Sequence, residues 1–150
     1  MRGLFELRQI VEPAAAALAA ERRNRKHLDQ MRRALDGMAK HTLQNEAGRL
    51  ADQEFHAALL SASANPFVAS LTNGVTAAVD ALTEFKQRDH PLRRDPVPDH
   101  LRVYEAISEK DAEGARRAMG ELIRLAMMDT PIQRAAKARK AKAGGRGQRD

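Results

Sequence analysis

Residues 51–62 read Ala-Asp-Gln-Glu-Phe-His-Ala-Ala-Leu-Leu-Ser-Ala, and their spacing decides the fold. Ala51, Phe55, Ala58, Leu59 and Ala62 recur every three or four residues, the period of a helix with one buried face. Asp52 and His56 stand four apart beside that face, so a helix stacks the carboxylate and the imidazole one turn apart. Such a pair is half of a transition-metal site. His100 follows in Pro98-Asp99-His100-Leu101-Arg102-Val103-Tyr104, with Val103, Tyr104 and Ile107 on its own side at helical spacing. An imidazole among apolar neighbours must find a partner or lose its charge, because an unsatisfied buried polar group is costly. Asp52, His56 and His100 are therefore read together, as the walls of a small polar chamber.

Helical spacing continues in both directions. Leu4, Leu7, Val11, Ala14 and Leu18 mark a first helix over about residues 3–22, with Pro13 expected to kink or break it. Leu28, Met31, Leu35 and Met38 mark a second, and the third spans about residues 44–62. Asn65-Pro66, an N-cap followed by proline, opens a fourth that presents Val68, Leu71, Val75, Val79 and Leu82. Gly74 inside it is a place for close approach by a neighbour. Residues 87–98 form a loop, a fifth helix opens near Pro98, and Asp111 caps a sixth that ends at Asp129-Thr130-Pro131. The sixth carries Ala115, Ala118, Met119, Leu122 and Ala126. No segment alternates with period two. The expected fold is all-α, an antiparallel bundle of six or seven helices.

The chain is long enough for one domain, burying roughly 68–70% of the surface its unfolded form exposes. It has no cysteine, which excludes disulfides, zinc ribbons and thiol catalysis and fits a reducing cytoplasm. No stretch approaches the ~18 apolar residues of a membrane span. The net charge of +6 lies entirely in residues 134–150, and residues 1–133 carry equal numbers of acidic and basic side chains. The expected organisation is a helical domain over 1–130 and a basic, disordered tail over 131–150 that solubilises the chain or touches nucleic acid weakly.

The run Leu4-Phe5-Glu6-Leu7-Arg8-Gln9-Ile10-Val11-Glu12-Pro13, the D-x-x-F-H motif at Asp52–His56, the break at Ser63-Ala64-Asn65-Pro66, and Asp99-His100 with Asp111-Ala112-Glu113-Gly114-Ala115 occur in that order. Together they resemble the FCD domain, the ligand-sensing half of FadR-subfamily regulators in the GntR superfamily, over about residues 4–128. The resemblance implies a homodimer with a central pocket for a small carboxylate effector. It implies a divalent ion (Zn, Ni, Mn or Fe) held by one Asp and three His, of which Asp52, His56 and His100 match three. The fourth position falls at Leu122, which cannot bind a metal. A three-ligand centre and a metal-free chamber both stay open. Arg8 matches an arginine position of the first helix, where it either grips the effector carboxylate in two places or stays solvated. The effector site would then comprise Arg8, Asp52, His56, His100 and Leu122, with no catalytic residue. DNA would be reached only through a winged helix-turn-helix that this chain does not contain.

Two other readings compete. Three ligands and an open water position would suit a stand-alone metal-dependent enzyme, but no His-Glu-x-x-His motif or nucleophile stands nearby. A helical interaction protein would use the same apolar faces. His27, His41 and His90 have no motif partner and are expected to face solvent, while Met31, Met38, Met119, Met127 and Met128 are expected to fill the core.

Overall fold

A computed structural model describes residues 1–88, 94–129 and 131–144, and these residues form helices and connecting turns with no strand. His90 and Thr130 lie outside the described residues. The helices are α1 (Arg2–Arg22), α2 (Arg25–His41), α3 (Glu46–Ala62), α4 (Pro66–Ala69), α5 (Thr72–Gln87), α6 (Val97–Ser108), α7 (Ala112–Met128) and α8 (Pro131–Gly144). Six long helices, as the periodicity predicts, and the single turn of α4 build the bundle. The most extensive seams join α2 to α3 and α1 to α7, with α6 on α7 and α5 on α3.

The first helix packs with a face rotated about one residue from the expected one. Leu4, Leu7, Val11, Ala14 and Leu18 are only half-buried, whereas Phe5, Arg8, Glu12, Ala15, Ala16 and Ala19 are buried. Small alanine side chains let α1 lie close against its neighbours, and the two charged residues on this face are aimed at the chamber. Pro13 does not break the helix. The carbonyl of Gln9 loses its donor on a turn that is open to solvent.

Local chemistry sets the other boundaries. The Asn65 side chain accepts from Phe67 N and Val68 N with Pro66 at the first position, so the start signal is real. The helix it opens is cut after one turn. Ser70 Oγ donates to Phe67 O at 2.6 Å and Thr72 Oγ1 to Ala69 O at 2.7 Å, and such local bonds compete with the helical ladder. Consequently α5 restarts at Thr72. Asp111 caps α7 by accepting from Gly114 N at 2.9 Å. Gly74 lies in the first turn of α5, and a Cβ there would meet only Leu7 Cδ2 at an ordinary 3.9 Å, so no close approach depends on it. Gly48 is a glycine that the fold requires, since a Cβ would sit 1.6 Å from Thr42 O.

The expected disordered tail is instead helical through Gly144. Alanine, lysine and arginine favour a helix without tertiary support. Residues 135–142 are all exposed, so α8 adds little to the core. Among the methionines, Met31, Met38 and Met119 fill the core as expected, Met127 is half-buried, and Met128 is exposed at the end of α7.

Candidate functional site

Asp52 and His56 project from the buried face of α3, and His100 from the first turn of α6. Pro96, Val97 and Pro98 force the chain into that turn, where His100 N and Nδ1 both approach the Pro96 carbonyl, at 3.2 and 2.8 Å. Asp99, beside it, is clamped by Arg94 (Nε to Oδ2 3.0 Å, Nη2 to Oδ1 2.8 Å) and by Arg102 at 2.6 Å. Burial works against the Asp99 charge, but these hydrogen bonds outweigh it and hold its carboxyl below the usual range.

The three donors converge. Asp52 Oδ1 lies 2.9 Å from His100 Nε2 and 3.4 Å from His56 Nε2, and the two Nε2 atoms are 3.3 Å apart. All three residues are buried. Phe55 stands edge-on to both imidazoles, with ring centres 5.7 Å from His56 and 5.0 Å from His100. Leu122 of α7, also buried, lines the same cavity together with Arg8, as the family position implies. The cavity is about 40 Å³, room for one to three waters and far below the ~300–1,000 Å³ of pockets that enclose larger organic ligands.

One functional residue escapes the sequence reading. Glu12 of α1 is fully buried, with Oε2 2.6 Å from His56 Nδ1 and Oε1 2.6 Å from Arg8 Nε. Arg8 is therefore not solvated; a buried carboxylate engages it where it lines the cavity. The clue was the spacing Phe5-Arg8-Glu12-Ala15, a helical stripe with Glu12 four residues after Arg8. Burial would raise the Glu12 carboxyl, but the charges of Arg8 and His56 and their hydrogen bonds bring it to about 2. Burial would lower the His56 imidazole, yet Glu12 and Asp52 raise it to about 9. Burial opposes the Asp52 charge too, and contacts from His100 and His56 hold its carboxyl well below the usual range. His27 accepts from Asn24 N through Nδ1 and caps α2 rather than facing solvent alone.

The donor set fits a divalent ion on chemical grounds. Ligands about 2.1 Å from a metal are about 3.0 Å apart at right angles and about 3.4 Å apart at tetrahedral angles, the range of these three separations. His100 Nδ1 is held by a backbone carbonyl and His56 Nδ1 faces a carboxylate, which leaves both Nε2 atoms for the centre, the usual outer support of ligating histidines. Asp52 Oδ1 and His56 Nδ1 are nevertheless buried without a hydrogen bond. An oxygen left this way, facing two imidazole nitrogens, suits a cation.

A helical bundle built around a buried Asp/His/His chamber is the class that fold and site define. The chain belongs to the FCD domain family, whose profile it matches over residues 3–125. It is 31% identical over 116 residues to the galactonate operon transcriptional repressor of Escherichia coli K12, covering 77% of this chain and 51% of that protein. It is 30% identical over 124 residues to the HTH-type transcriptional regulator LutR of Bacillus subtilis 168, covering 79% and 57%. The chain thus spans about half the length of the curated relatives it matches. Among solved structures it resembles Streptococcus agalactiae GntR, with TM-score 0.67 and 26% identity, over 81% of this chain and 54% of that one. It shares its fold with E. coli McbR/YncC, with TM-score 0.69 and 18% identity, over 84% and 61%. The relatives are named as transcription regulators rather than enzymes, which favours the regulatory reading over the hydrolytic one. Among the described residues, no helix is long and apolar enough to cross a membrane.

Proposed function

We propose that the chain is the effector-sensing and dimerising part of a GntR-type transcription regulator. In this reading its chamber takes a divalent ion on Asp52, His56 and His100 and a small carboxylate beside it. The observation that carries this reading is the donor triangle, three buried atoms within 3.4 Å of one another on two separate helices. A bound ion would supply positive charge to hold the acid. Glu12 fixes the ring of His56, Arg8 balances Glu12, and Pro96 O fixes the ring of His100. Leu122 offers no donor, so the side facing α7 is left to water or effector oxygen. Effector binding would shift α6 relative to α3, and in a dimer that shift would reach attached DNA-binding domains. The likeness to a galactonate operon repressor supports an acid as the effector class.

Native mass spectrometry and calorimetry with zinc or nickel test this reading. One ion per chain is expected, lost in Asp52→Ala and His100→Ala with the fold retained. Failure of the folded wild-type protein to take up any divalent ion would remove the metal from the proposal.

A further inference from the structure

On the side of the α2–α3 turn, residues 42–45, Leu43 lines the chamber. Leu43 is only 4% exposed although its neighbours Thr42 and Gln44 face solvent. Outside it lies a groove of about 320 Å³ between the end of α2 and the start of α6, lined by Met38, Thr42, Gln44 and Val97 among others. Leu43, Arg94 and Pro96 border both the groove and the chamber.

The turn is pinned around Leu43. Thr42 adopts φ 60°, and its carbonyl packs on the bare backbone of Gly48. Asn45 donates to His41 O at 2.5 Å and accepts from Gly48 N at 2.9 Å. These contacts turn the Leu43 side chain inward. Gln87 at the end of α5 donates its Nε2 to Leu43 O. This side-chain bond ties the backbone of the turn to α5.

We propose that the groove is an access route to the chamber and that Leu43 is its door, latched by Gln87. This rests on the reading of the chamber as a binding site, since a space for one to three waters must widen to admit an ion and an acid. Leu43 blocks passage without offering a ligand atom, so it governs rates and not affinity.

Zinc alone is the probe. Zinc-loaded protein is mixed with excess chelator, and release is followed by the absorbance of a zinc-sensitive dye, with circular dichroism to check folding. Leu43→Ala should release and take up zinc about tenfold faster, the change that ~1.4 kcal/mol off a barrier gives. Its zinc Kd should stay within about threefold of wild type. Gln87→Ala, at the half-buried end of α5, should act in the same direction and leaves the Leu43 side chain in place. Release rates within about twofold of wild type in both folded variants would overturn the door. If the wild type holds no zinc, it is the metal reading that fails, and the route is judged on metal-free protein. There, carbethoxylation of His100, mapped by peptide mass, should be faster in Leu43→Ala; unchanged labelling would overturn the route.

Discussion

Glu12 Oε2 stands 2.6 Å from His56 Nδ1, so a carboxylate from α1 sets the orientation of an imidazole on α3. Arg8 completes a buried line of alternating charge, Arg8–Glu12–His56–Asp52, that crosses the bundle from its first helix to its chamber. Each charge is balanced mainly by the next, so removing one leaves another buried without its counter-charge.

Glu12→Gln should therefore act twice. It leaves the Arg8 charge unbalanced in the interior, a loss of about 3–5 kcal/mol measured by urea unfolding. It also loosens the ring of His56 and should weaken zinc binding about 10–100-fold by calorimetry, although Glu12 is no ligand of the triangle. Undiminished zinc affinity would show that Glu12 serves only to balance Arg8.

The pH dependence of the metal-free protein follows from His56. Its folded value of about 9 lies above the ordinary 6.5, so its charge contributes stability fully below pH 6.5. That contribution fades as pH rises through about 9. With chelator present, Tm should fall between pH 7 and 9.5, and His56→Gln should flatten that slope.

Leu122→His should add a fourth donor to a frame already oriented by the bundle. Zinc or nickel Kd is expected to drop by about tenfold or more, read by calorimetry on both proteins. No gain in affinity would mean that the α7 side chain does not reach the donor triangle.

The proposed dimer is checked by sedimentation at micromolar concentration, where twice the 16.6 kDa chain mass is expected. A clean monomer would count against dimerisation through this domain.

Deleting residues 131–150 should change Tm by no more than about 2 °C, because the described side chains of α8 bury nothing. Any affinity for DNA should disappear with the deletion and weaken steeply with salt.

Much of the fold was legible because caps and periodicity leave local marks. Asn65, Asp111 and the prolines near residue 97 each act where their chemistry places them. The donor triad was legible for a similar reason: Asp52 and His56 are one turn apart, and His100 has apolar neighbours on its own side. Glu12 was not, because a charged residue on a buried stripe reads as a surface residue until its partner on another helix is known. The same ambiguity rotated the expected face of α1. Larger Leu and Val side chains outweighed the alanines that pack against the core. The break between α4 and α5 was hidden as well, since it arises from hydroxyls turning back on carbonyls rather than from a proline or glycine.

His56 and His100 are 44 residues apart in a chain with no cysteine. An ion shared by them would therefore do what a disulfide does elsewhere, cross-linking two distant helices. Closing a loop of that length restricts the unfolded chain by an amount worth about 4 kcal/mol in the chain-entropy picture. Unlike a covalent bridge, this staple comes off with a chelator. How firmly α3 and α6 are stitched together would then follow the metal supply of the surroundings, independently of any effector.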